Sequence, residues 1–200
     1  MAGVDRWDGG AMADLENPGD GDHGDHVVLV DHDGRRLGTW PRSTVHTEET
    51  PLHLAFSCYV LDDAGRLLMT RRALSKRTWP GVWTNSFCGH VRWQETAEEA
   101  LHRHARHELG LRVVDVELVL PDFRYRAVDA SGVVEHEICP VYVARAGGDV
   151  EPNPDEVVEL AWARPDDVTA AAAAAPWGFS PWMVEQLRAF DAAGRPLGRA

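Results

Sequence analysis

The chain has 200 residues, 44% hydrophobic and 26% charged, with a formal net charge of −12. That is the composition of a soluble globular chain long enough to bury one proper core. The acidic balance argues against non-specific binding to nucleic acid or anionic membranes, both of which require a basic face.

Half of the excess charge sits in residues 1–25. That stretch carries Asp5, Asp8, Asp14, Glu16, Asp20, Asp22 and Asp25 against Arg6. It is Gly-rich and aperiodic, and it reads as a disordered acidic leader followed by one folded domain over 26–200. It has neither the basic region nor the apolar stretch of a signal peptide. No apolar run approaches the ~20 residues of a membrane span. Three cysteines, Cys58, Cys88 and Cys139, are too few and too odd in number for a disulfide framework. They fit a reducing, cytoplasmic setting.

Val27–Val30 is a short apolar strand ending in an Asp/Gly turn at Asp31–Gly34. Leu54–Leu61 is a strong strand, Asp62–Gly65 a turn, and Leu67–Thr70 the returning partner. Trp83–Cys88 reads as a short extended piece. The clearest helix follows. Thr96 with Glu99 forms a capping-box pattern. Ala97, Ala100, Leu101, Ala105 and Leu109 recur at helical spacing, and Gly110 supplies the stop. Strands are expected at Val113–Leu120, Phe123–Val128, Val133–Val143 and Val157–Trp162. Two helices are expected at Asp166–Ala175 and Pro181–Asp191. The pattern predicts an α+β chain, an α/β/α sandwich around a mixed β-sheet.

Cys88 with His90 and Glu135 with Glu137 have i, i+2 spacing inside strand-like runs. Each pair therefore shares one strand face. Imidazoles and carboxylates brought together hold a divalent metal, and a thiol beside them is placed for acid–base work. Taken singly, each residue also has an ordinary reading. Cys88 is then a buried thiol, His46 a surface histidine, and His53 a strand-edge residue. Glu135 and Glu137 become a solvated strand face, and Trp182 one of the packing residues among eight tryptophans.

The run Gly89, Glu95, Arg103, Glu108, Gly110, Leu111 resembles a Nudix box, in which a loop and a helix set glutamates around magnesium and a diphosphate. His104 and His107 stand where the hydrolase motif carries glutamates, which weakens the cluster that hydrolysis needs. Five further motifs occur in order: LHLAFS from Leu52, TRRALSK from Thr70, WPGVWTNSFCGH from Trp79, PDFRYRA from Pro121 and WGFSPW from Trp177. Together they resemble type I isopentenyl-diphosphate isomerases, members of the Nudix superfamily, from about residue 26 to 190.

The resemblance implies a Nudix-like sandwich and interconversion of isopentenyl and dimethylallyl diphosphate. It assigns the acid–base work to Cys88 and Glu137, with Tyr125 assisting and Trp182 facing a developing carbocation. It implies one Mn2+ or Zn2+ held by His46, His53, His90, Glu135 and Glu137. It also implies one Mg2+ with the substrate diphosphate, for which Glu108 is the side-chain ligand. Arg42, Arg72 and Lys76 are the implied diphosphate contacts. The expected partner is a small prenyl diphosphate, with no nucleic acid or membrane, and the expected state is a monomer. Two other classes compete: a Nudix hydrolase of a nucleoside or prenyl diphosphate, and a non-catalytic sensor of metal or diphosphate. The first predicts phosphate or pyrophosphate release with magnesium alone.

Overall fold

The structure, a computed structural model, describes residues 25–195 and Leu197. The leader, apart from Asp25, lies outside the described residues.

The organising strand is β3 (His53–Leu61), nine residues with only its second and last positions partly exposed. Period-2 alternation sends Phe56, Cys58 and Val60 into one core and Ala55 and Tyr59 into the other. A strand apolar on both faces must be covered on both. Helix α2 (Ala97–Leu109) covers the first through Ala100, Leu101, Ala105 and Leu109. Helices α3 (Pro165–Ala174) and α4 (Pro181–Ala192) cover the second through Val168, Met183, Leu187 and Phe190. The α/β/α sandwich and mixed sheet match the expectation. Complete burial of each of the valine, leucine, methionine and phenylalanine side chains among them contributes about 1.5–3 kcal/mol.

Helix α2 begins and ends as its sequence predicts. Thr96 Oγ1 accepts from the Glu99 amide at 3.2 Å, and Glu99 Oε2 accepts from the Thr96 amide at 2.8 Å. Gly110 turns left-handed at φ 58° and its amide donates to the Arg106 carbonyl, while the Leu111 amide donates to that of Ala105.

The remaining strands are β1 (His26–Val30), β2 (Arg36–Pro41), β4 (Leu67–Arg72), β5 (Trp83–Thr84), β6 (Phe87–His90), β7 (Val113–Leu120), β8 (Arg124–Val128), β9 (Val134–Ile138), β10 (Val141–Ala146) and β11 (Val157–Ala163). A one-turn helix, α1 (Arg42–Val45), follows β2. Three features depart from the sequence reading. Strand β2 and α1 carry no strong pattern of their own and form because β2 pairs with β1.

The expected β3–β4 hairpin closes only at Leu61 and Leu67. Beyond that point the segment 84–86 is wedged between the two strands. Ser86 Oγ accepts from the Val60 amide at 2.7 Å and donates to the Leu68 carbonyl at 2.7 Å, standing in for the missing ladder. Strand β6 then pairs with β3, and β4 takes β5 and β11 as partners.

The single strand expected over 133–143 is two strands, because Pro140 has no amide to donate. The chain changes neighbours there. Strand β9 lies parallel to the start of β3 and antiparallel to β8, whereas β10 lies parallel to the rest of β3 and antiparallel to β7.

Candidate active site and cation centre

These departures bring the site together. The wedge places β6 beside the front half of β3, with Cys88 opposite Ser57 and His90 opposite Ala55. The switch at Pro140 places β9 beside the first residue of β3, with Glu137 opposite His53. Tyr125 on β8 lies opposite Glu137 on its other side. His46 follows α1 and is buried.

His46, His53 and His90 have ring centroids 5.1–5.3 Å apart. With Glu135 they offer ligand atoms that all lie within 4.8 Å of one another. Glu137 stands at the edge of this group. Its Oε1 is 3.4 Å from His90 Nε2 and 3.6 Å from His53 Nε2. His53 Nδ1 donates to the Pro51 carbonyl at 2.9 Å, which orients the ring and turns Nε2 toward the cluster.

Among the described residues, three buried side-chain atoms lack a hydrogen-bond partner: His46 Nε2, His53 Nε2 and Glu135 Oε2. All three belong to this one cluster. His46 Nε2 and Glu135 Oε2 face each other at 3.1 Å without hydrogen-bond geometry. Orphaned buried polar atoms are costly. Lone pairs converging on one point are what a divalent cation satisfies, so the residues fit a metal. Burial works to raise the Glu137 carboxyl, but the adjacent His53 and His90 imidazoles outweigh it and hold it well below the usual carboxylate range. Burial pushes the His90 imidazole down to about 4.

One cleft of about 850 Å³ is lined by Cys88, His46, His90, Glu135, Glu137, Tyr125, Trp182, Glu108, Arg42, Arg72 and Lys76, among others. Cys88 and Glu137 thus share a cavity. Burial pushes the Cys88 thiol up to about 12. Burial likewise pushes the Tyr125 phenol well above its ordinary value, with the Glu137 charge adding to it. Trp182 is buried, and its Nε1 donates to Asn85 Oδ1 at 3.0 Å. Its ring also meets the Arg72 guanidinium at 5.2 Å, Trp79 at 5.5 Å and Tyr125 at 5.8 Å.

The three expected anion contacts are held differently. Arg42 pairs with Asp25 at 2.9 Å, and Lys76 pairs closely with Glu156. Arg72 donates to the carbonyls of Thr78 and Trp79, which are neutral acceptors. Glu108 stands apart from the histidine cluster, buried in the cleft wall with His104 Nδ1 at 2.7 Å. Gly89 is glycine because a Cβ there would lie 2.3 Å from the His104 ring. In the box, Glu95 is taken up by Arg103 at 2.6 and 2.7 Å, which also donates to the His90 carbonyl.

Sequence reasoning passed over Asn85, which orients Trp182, and Thr78, whose hydroxyl donates to Glu135 Oε1 at 2.7 Å. Neither has a local signal, because their partners lie 97 and 57 residues away along the chain.

A glycine–helix loop lying on a mixed sheet, with a carboxylate-and-imidazole cleft beside it, defines a NUDIX-domain protein, and the family model described as NUDIX domain matches residues 51–183. Among solved structures, a Deinococcus radiodurans protein superposes with TM-score 0.58 at 23% identity, over 75% of this chain and 90% of that one. The MutT protein of Methanosarcina mazei superposes with TM-score 0.53 at 17% identity, over 72% and 96%. Both report the fold.

Curated relatives are far closer in sequence. The isopentenyl-diphosphate Delta-isomerase of Clavibacter michiganensis is 59% identical over 82% of this chain and 85% of its own. That of Leifsonia xyli is 57% identical over 88% and 97%. That of Frankia alni is 57% identical over 88% and 91%. The chain belongs to the isopentenyl-diphosphate Delta-isomerase family of NUDIX-domain proteins.

Proposed function

We propose that the protein interconverts isopentenyl diphosphate and dimethylallyl diphosphate. The observation that carries the reading is one cleft that holds Cys88 and Glu137 together beside three orphaned metal-ligand atoms. Moving an unactivated double bond requires a proton added at C4 and another removed at C2. The path crosses tertiary carbocation character at C3. Cys88 and Glu137 hold one proton between them, the complementary states that a proton-in, proton-out reaction needs. Tyr125, opposite Glu137 across the β8–β9 pair, assists that carboxyl group. Trp182, pinned by Asn85, turns its π system to the cavity. A cation–π contact in a desolvated site contributes on the order of 2 kcal/mol, so positioning and proton affinity supply most of the barrier reduction.

His46, His53, His90, Glu135 and Glu137 would hold one Mn2+ or Zn2+. That ion would supply fixed positive charge that tunes the Glu137 carboxyl. Arg72, Lys76 and Arg42 would bind the diphosphate, and Glu108 would hold one Mg2+ that neutralises its charge. The protein acts as a cytoplasmic monomer on this small substrate, without nucleic acid or membrane. Among the described residues, no helix is long and apolar enough to cross a membrane. A hydrolytic role is disfavoured because His104 and His107 stand where the box carries glutamates.

The test is to incubate the purified protein with isopentenyl diphosphate, Mn2+ or Zn2+, and Mg2+, and follow the reaction by proton NMR. Appearance of the two dimethylallyl methyl signals is expected. Release of phosphate or pyrophosphate, or an unchanged spectrum, would refute the isomerase reading.

A further inference from the structure

Glu135 is held asymmetrically. Its Oε1 accepts a 2.7 Å hydrogen bond from the Thr78 hydroxyl, while its Oε2 has no hydrogen-bond partner and faces His46 Nε2 at 3.1 Å. Thr78 and Glu135 are both buried. Thr78 is itself fixed from behind. Arg72 donates to its carbonyl through Nη2 at 2.9 Å and Nε at 3.2 Å. The next residue, Trp79, is left-handed at φ 42°, a strained backbone for a bulky side chain, and its carbonyl accepts from Arg72 at 3.2 Å. The hydroxyl is therefore aimed by a rigid loop.

We propose that Thr78 is a positioning residue for the cation centre: by occupying Oε1, it makes Glu135 present a single oxygen, Oε2, to the ion. The inference rests on the reading of the His/Glu cluster as a cation site.

A carboxylate without such a partner can turn about its terminal torsion and offer either one oxygen or both. A hydrogen bond to one oxygen fixes the plane and removes that oxygen from coordination. Zinc favours few, nitrogen-rich ligands, whereas manganese tolerates more oxygen. Removing the Thr78 hydroxyl frees Oε1 to join the ion. The ligand count then rises and the site becomes less suited to zinc than to manganese. The backbone hydrogen bonds of Thr78 do not depend on its side chain, so the loop persists.

The experiment uses the full chain, stripped with chelator. Zn2+ and Mn2+ affinities are measured by competition with a chromophoric chelator, and the visible spectrum is recorded after Co2+ substitution. Thr78→Val and Thr78→Ala should each lose about 10–100-fold in Zn2+ affinity and lose less for Mn2+. Both should weaken the Co2+ bands in the way a rise in coordination number does. Thr78→Ser should restore the wild-type affinity and spectrum. Wild-type affinity and spectrum in both the Val and Ala variants would overturn the inference alone, as would a Ser variant that behaves like Val. A wild-type chain that binds none of these ions would overturn the cation-site reading and this inference with it.

Discussion

Adding one methyl group at Gly89 tests the packing behind the cleft. An ideal Cβ there lies 2.3 Å from Cε1, 2.5 Å from Nε2 and 2.6 Å from Nδ1 of His104. Ordinary carbon contacts begin near 3.5 Å, so the ring must retreat by roughly 1 Å. Fully buried Phe56 packs edge-on against it at 5.4 Å, and its Nδ1 is tied to Glu108 at 2.7 Å. Overpacking costs about 1–3 kcal/mol. Stretching a buried hydrogen bond to a carboxylate costs a further ~1.5–3 kcal/mol. Gly89→Ala should therefore lose about 3–5 kcal/mol, a large share of a typical 5–15 kcal/mol stability. Urea denaturation of Gly89→Ala, His104→Ala and the double variant measures both the loss and its source. The double variant should be at least about 1.5 kcal/mol more stable than the summed single losses predict. A single-variant loss below about 1 kcal/mol, or simple additivity, would refute the steric argument.

Cys88→Ala, with an unchanged melting temperature, and Glu137→Gln, with a melting temperature lowered toward that of the chelator-treated chain, should each lower solvent-deuterium exchange into isopentenyl diphosphate by about 100-fold or more; near-wild-type exchange in either would remove that residue from the acid–base pair. Chelator should lower the melting temperature. Restoring Mn2+ or Zn2+ at ~100 times its dissociation constant should return about 2.7 kcal/mol, and the absence of any shift would count against the His/Glu cluster. Stability should fall in alkali. Burial raises the Cys58 thiol above its unfolded value of about 8.5, so the unfolded chain loses that proton first and the contribution, fully present below pH ~8.5, is lost as pH rises. Cys58→Ala should flatten that fall by up to about 1.4 kcal/mol per pH unit above pH ~9; an identical slope would show that Cys58 ionises equally in both states.

What the chain reveals unaided is local and periodic. The alternation of β3, the Thr96–Glu99 box and the Gly110 stop are each written within a dozen residues, and each forms as read. The i, i+2 pairs Cys88/His90 and Glu135/Glu137 are equally local, since a strand of either register puts both members on one face. Which strands become neighbours is a different kind of fact. Ser86 completing the ladder between Val60 and Leu68, Pro140 passing the chain from β9 to β10, and Thr78 reaching Glu135 all depend on partners far away in the chain. Their side chains have no pattern of their own. A hydroxyl or a proline acquires its role only once packing against the two cores of β3 has chosen its neighbours. Residue types and spacing thus determined most of the strands and the main helices, and the ordered motifs carried the family resemblance, while the tertiary pairing decided which face of each strand opens onto the cleft.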